Sequence, residues 1–508
     1  MKIKSLNFIL FFSLVIFSCV SIFATPKYSD RTFMTYRHMD ANMPMEYSTW
    51  HNQIYLKLDK TKLWGANLQV VGFYNKSDNQ APTGRYFGHL VEQDNDYRDF
   101  IKVDNKTAAN TTVGDIPAEF IFHNYDDFAD HQIADKIKFG PEQTTYDASF
   151  YYYQNLDKFL NKLYFKAKLP IVGVKDNFNP KSVGVNTKAT RDSQTVSLYD
   201  VLTGNFAEST TDSENLQEKL NYAKINVSKT KTGVADIDLT LGYDLLRDKY
   251  RHFGVNIGFI IPTSNKPKGE YLFEPIYGNA GHWAIRAGLD SKMNLYKEGN
   301  WKLDLLMVGD FKYFFRDNEK RTLSLKLGKS NFVDEAHDPS FLPYYLVGQQ
   351  SDDANKALFP LANISTRDIR VTPGAIFEAM ADLAFSYKSF VIDLGYNLYV
   401  RGRESVSLRG SWTDNAYAIA APGFDTTNAF TNLDDVGTAV ATINTGDLDF
   451  DSVRTPTQIT NKAFLALGYG FNKCKYPVML GAGTSYEYSA RNSALSNYAF
   501  WGKLGVSF

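Results

Sequence analysis

Residues 373–404 read PGAIFEAMADLAFSYKSFVIDLGYNLYVRGRE. Ala375, Phe377, Ala379, Ala381, Leu383, Phe385 and Tyr387 alternate with a second set that holds Glu378, Asp382, Ser386 and Lys388. After a tight turn, Phe390, Ile392, Leu394, Tyr396, Leu398 and Val400 alternate with Asp393, Asn397 and Arg401, and Arg403 continues the polar set. Strand side chains point to opposite faces in turn, so this spacing predicts an antiparallel hairpin with one apolar and one polar face. Each arm is about 15 residues, against about 5–6 for an ordinary strand. A tilted strand crossing a bilayer needs about 9–11. The competing reading is a large soluble β-domain with one wet face, and strand length favours the membrane.

The same alternation recurs towards the end of the chain. It runs through 235–243, 253–261, 283–293, 301–313, 320–328, 463–471, 478–488 and 498–508. Tight polar links such as Lys297-Glu298-Gly299-Asn300 interleave with long ones at 263–280, 329–372 and 404–456. Short turns on one side and long loops on the other suit a transmembrane barrel. In the first half, strands are expected at 50–58, 66–74, 145–155 and 160–172, separated by long links at 75–143 and 173–232. A short helix is expected at 213–224, capped by Ser213. Long and short links alternate properly only from residue 320 onward, so further strands are sought at 341–349 and 118–124. The fold expected is all-β, a transmembrane antiparallel up-and-down barrel of about 14–16 strands.

Lys2 and Lys4 precede an apolar run from Leu6 to Phe23, then Ala24. This predicts a signal peptide over 1–24 and a single barrel over 25–508. A competing reading lipidates Cys19. The formal net charge is −1, which points to no nucleic-acid partner. Cys19 and Cys474 are the two cysteines, so neither a disulfide framework nor a cysteine metal site is expected. The 32 Tyr and 37 Phe suit aromatic girdles at two membrane interfaces. Mean hydropathy is −0.32, and no second long apolar run exists to form a helical span.

Phe508 ends a strand whose outward set is Tyr498, Phe500, Leu504 and Val506, with Gly502 where an apolar residue is usual. This ending resembles the assembly signal of Gram-negative outer-membrane β-barrels of the porin-like class. The resemblance covers roughly 145–508 and marks the class rather than a subfamily. It implies the bacterial outer membrane as location, the lipid bilayer as surroundings and the barrel assembly machinery as a partner through Phe508. Fatty-acid transporters usually carry an Asn-Pro-Ala run just after the signal, which is missing here. Large gated receptors carry a separate plug domain, for which 25–49 is far too short; 75–143 is the other candidate for a plug.

Chemical motifs are sparse. Neither HExxH nor GxSxG occurs, and the histidines are scattered. No catalytic residue, metal site or cofactor is expected. The polar strand faces are the better candidates, because inward charge beside a water channel sets the field felt by a solute. The expected pore lining is Arg286, Asp290, Asp310, Lys312, Glu378, Asp382, Asp393, Asn397, Arg401 and Arg403. A constriction loop carrying Asp334, Glu335, Asp338, Asp352 and Asp353 is expected to face the basic wall. The function expected is passive diffusion of small polar solutes, with oligomerisation left open. Alternatives are a surface-interaction barrel, an outer-membrane barrel hydrolase and a transporter of hydrophobic substrates.

Overall fold

The computed structural model describes most of the chain from residue 31 onward. Outside it lie 1–30, 38–41, 50–64, 105–115, 123–134, 208–216, 327–340, 350–357 and 420–441, with shorter stretches at 89, 92–95, 98, 118–120, 184–188, 192–193, 226, 249 and 490–492. The signal-peptide reading, Cys19, the 50–58 strand and the whole acidic set of the constriction loop fall in these stretches.

Among the described residues, twelve long strands form one closed antiparallel sheet. They are β1 (Ala66–Ser77), β2 (Glu142–Asn155), β3 (Leu163–Asn177), β4 (Ile237–Arg247), β5 (Arg251–Ile261), β6 (Ala284–Glu298), β7 (Trp301–Phe314), β8 (Ile376–Tyr387), β9 (Phe390–Arg401), β10 (Gln458–Phe471), β11 (Val478–Ser489) and β12 (Asn497–Ser507). Each pairs with the next, and β12 returns to β1 in register from Asn67↔Ser507 to Ser77↔Asn497. Closure leaves no edge strand exposed to lipid.

Twelve replaces the expected 14–16. The 320–328 segment is not in the wall. Residues 317–322 pair with 366–372, which pair with 405–408, in a separate small sheet. Residues 341–349 hold a single 3₁₀ turn and a short strand at Leu346–Gln349 that pairs outside the barrel. Ile121 and Phe122 of the 118–124 segment are buried but lie in no wall strand. With 320–328 removed, ten of the eleven links obey one rule, the link after β11 (490–496) being as short as that after β2. Those after β2, β4, β6, β8 and β10 are short, and those after β1, β3, β5, β7 and β9 are long.

The outer face is apolar. Ile257, Phe259 and Leu394 are more than 60% exposed, with Leu289, Leu383, Leu467 and Phe500 beside them in the same belt. Aromatic residues ring both ends. Trp301 lies 4.2 Å from Tyr387 and Phe390 4.8 Å from Tyr469 at the short-turn end. Trp283, Tyr313, Phe315, Tyr486 and Tyr488 are exposed at the other. Such girdles and an apolar band mark a barrel that crosses a bilayer. No described helix is long and apolar enough to do so.

The long links fold into a cap whose core also takes in Val172 and Val174 of β3. Phe87, Ile101, Ile137, Phe139, Phe178, Leu198, Leu342, Val347, Ile369 and Leu448 are among its buried residues. Of the helix expected at 213–224, Ser213 to Leu216 lie outside the described residues, and 217–224 is not helical. Gln217 and Lys224 make isolated bridges to Leu358 and Tyr271, and Leu220 is buried in the cap core. Tertiary burial of Leu220 and pairing of the backbone override the local helical spacing. The helix in this link is Leu198–Thr203 instead, with the Ser197 hydroxyl accepting from the Asp200 N–H at 3.2 Å.

Candidate functional site: the lumen and the segment that fills it

The inner face of the wall is mixed. Asp304, Asp310, Lys312, Glu378, Asp382, Asp393, Asn397, Lys462, Glu487 and Lys503 all point inward and are buried. Between them lies an apolar layer of Val71, Phe73, Tyr151, Leu306, Val308, Met380, Phe464 and Trp501. Residues inside a barrel wall become buried only if something fills the space. Two described pieces of the chain that precede β1 do so, 31–37 and 42–49.

The filling runs from the cap to the short-turn end. Under the cap, Tyr86 donates its hydroxyl to the Phe33 carbonyl at 2.8 Å, and Tyr36 donates to Asp176 at 2.9 Å. Thr35 donates its hydroxyl to Glu404 at 3.0 Å. Glu404 is fully enclosed. Burial pushes its carboxyl up, but Arg321 (2.7 Å) and Arg401 (3.3 Å) prevail and hold it down at about 2. Arg37 then enters the lumen. It donates to Glu487 at 2.8 Å, to Asn397 at 2.8 Å and to Glu378, and its guanidinium lies 4.7 Å from the centre of the Tyr399 ring.

Further in, the short helix Met43–Tyr47 has Pro44 in its first turn and packs Met43, Met45 and Tyr47 on the apolar layer. Beyond it Ser48 and Thr49 sit in a notch of the wall. Thr49 has φ 60 and is fully buried; its N–H donates to Asp393. Lys503 donates to the Ser48 carbonyl. Gly468 and Gly481, opposite one another on β10 and β11, leave the room. A Cβ at Gly468 would stand 2.8 Å from Thr49 Cβ. Beside the helix a small cleft remains, lined by Glu46, Gln69, Tyr151, Lys166, Lys168 and Arg286 among others.

The residues expected to line a pore are distributed as follows. Arg286 bridges Asp238 and Asp310 at 2.5 Å each. Asp290 accepts from Tyr164 at 2.9 Å and lies 2.7 Å from His252 Nε2. Lys312, Glu378, Asp382, Asp393, Asn397 and Arg401 are on the inner wall. Arg403 lies beyond the end of β9, where its exposed side chain pairs with Asp451 at 2.7 Å. Sequence reasoning missed Lys462, Glu487 and Lys503, although the alternation that gave Asp393 applies equally to them. It also missed Arg37 and Thr49, which sit in a stretch without periodicity. The described residues that fill the lumen are 31–37 and 42–49; of the 75–143 stretch expected as the other candidate, Tyr86, Phe87, Ile101 and Val103 pack in the cap.

No family model and no curated protein matches the chain. Solved structures resemble it loosely. An outer membrane channel from Pseudomonas putida F1 has 10% identity and a TM-score of 0.38 over 87% of this chain and 95% of that one. A Pseudomonas aeruginosa FadL homologue has 8% identity and a TM-score of 0.27 over 88% and 92%. The Ralstonia pickettii toluene transporter TbuX has 10% identity and a TM-score of 0.23 over 87% and 89%. The closed sheet, the apolar outer belt and the paired girdles themselves define the class: the chain is a closed antiparallel transmembrane β-barrel.

Proposed function

We propose that this barrel is a gated channel for small polar solutes, seen here in its closed state. The observation that carries the reading is the way residues 31–49 are held. Arg37, Thr49 and the carbonyls of Glu46 and Ser48 use inward polar groups of β1, β8, β9, β11 and β12 as partners. These are groups that water or a polar solute can satisfy equally well once the segment moves. A wall of both charge signs then lines the path. The helix Met43–Tyr47 supplies the apolar part of the seal, so the closed state is dry at its middle.

Planar-bilayer recording tests this. The full chain should be mostly silent, with rare openings. A chain lacking 31–49 should show steady conductance that favours polar over apolar solutes in liposome uptake. A folded barrel without 31–49 that stays electrically silent would sink the channel reading. Uptake of apolar solutes alone would favour hydrophobic-substrate transport.

A further inference from the structure

We infer that Glu378, Glu487, Asn397 and Tyr399 form a binding site for the guanidinium or ammonium head of a solute, occupied in the closed state by Arg37 of the protein's own chain. The inference rests on the gated-channel reading and adds the substrate class to it. Four observations meet at this place. The two carboxylates come from β8 and β11, and each accepts from a different nitrogen of one guanidinium. Asn397 Oδ1 accepts a further N–H at 2.8 Å. The Tyr399 face, 4.7 Å from the guanidinium, completes an aromatic wall of the kind that attracts cations. Glu378 and Glu487 side chains are both 1% exposed, so the site is enclosed as well as charged.

Charge decides what the site takes. Lys462 stands 3.0 Å from Glu487, and Arg401 is engaged by Glu404. With Arg37 withdrawn, two carboxylates face one ammonium and one net negative charge is left on the inner wall. Charge of one sign in a channel with low-dielectric walls raises the local concentration of counter-ions, so the vacated site draws in a cation. A planar fork of N–H donors fits better than a spherical ion, because the acceptors are spread to receive separate nitrogens. Glu378 Oε2 is buried without a hydrogen-bond partner, leaving one more acceptor than Arg37 uses. The site lies directly beneath the cap, where a solute entering from the long-loop side meets it before the apolar layer. Solute and Arg37 thus compete for one position, and binding of the solute favours release of the segment.

The probe is agmatine, with sodium chloride at matched ionic strength as control. It is added to wild type, Arg37→Ala and the double variant Arg37→Ala/Glu378→Gln, all as full chains in detergent and in bilayers. Arg37→Ala should bind agmatine at millimolar concentration by calorimetry, at least about tenfold more tightly than wild type or the double variant, as expected from losing a charge-assisted pair. In the bilayer the same concentration should interrupt its current. Binding by Arg37→Ala in a barrel that never conducts would uphold the site and overturn the channel. Conductance without agmatine binding beyond the salt control would overturn the site and leave the channel standing. If Arg37→Ala does not fold, Arg37→Lys keeps the charge and loosens the fork. Agmatine must then still bind Arg37→Lys more tightly than wild type, and equal affinity would overturn the site.

Discussion

Gly481 fits beneath Thr49 because it has no side chain: a Cβ there would stand 2.6 Å from the threonine Oγ1. The cross-strand partner Gly468 is under the same constraint. The wall strands are thinned where they meet Thr49. Gly481→Val should therefore expel Thr49 and break its bond to Asp393, while the outer face is unchanged. The barrel should form in normal yield and its open probability in bilayers should rise. A Gly481→Val channel as quiet as wild type would show that Thr49 is not a seal.

Leu394 and Asp393 are neighbours with opposite surroundings, 61% and 0% exposed. Leu394→Arg places a charge on the lipid face and should cost about 2–4 kcal/mol near the bilayer midplane, falling towards either interface. Asp393→Asn keeps the inner wall nearly isosteric and should refold like wild type, with a looser filling segment. Urea titration in liposomes separates the two, and equal midpoints would contradict the two-faced wall.

Glu404 ties the segment to the cap through Thr35 and Arg321, and its carboxyl is held at about 2. A depressed carboxyl contributes stability that is fully present above its ordinary range near 4.5 and is lost as pH falls through about 2. Acidification from pH 5 towards pH 2 should thus loosen the segment, read as protease cleavage within 31–37. Glu404→Gln should be cleaved already at neutral pH and lose most of the pH dependence. A wild-type cleavage rate that is flat across this range would refute the linkage.

Phe178 is fully buried in the cap, with its ring 5.0 Å from that of Phe139 and 5.3 Å from that of Phe87. Phe178→Ala should cost about 3–5 kcal/mol of local packing. Because most of that core lies in the long links, the loss should appear as proteolysis of the long links while the barrel retains its heat-resistant mobility on gels. Simultaneous loss of both would show that cap and wall unfold as one unit.

The hairpins were legible because a strand with lipid on one side and water-like groups on the other writes a period of two. β8 and β9 carry it almost without error. The strand count was not legible, since 317–322 and 346–349 show the same local chemistry while pairing in the cap. Alternation says that a segment is a strand and is mute about which sheet receives it. The inner apolar layer was hidden for a related reason. Leu306, Val308 and Met380 interrupt the polar face because they meet Met43, Met45 and Tyr47 rather than water. Arg37 was illegible outright, since its importance depends on carboxylates at positions 378 and 487, far along the chain.

The pairing of β12 with β1 also dictates an order of events. The wall cannot become a ring until its twelfth strand is available, whereas the stretch that occupies the ring's interior precedes the first. That stretch joins β1 at the short-turn end and is wrapped by the cap at the other. Closure joins the two ends of the wall: the ring is sealed by its most distant pair in sequence. Assembly is governed by a contact of very large sequence separation, the kind that forms slowly. Until that pair forms, the wall is an open sheet with two free edges, each a row of unpaired backbone groups.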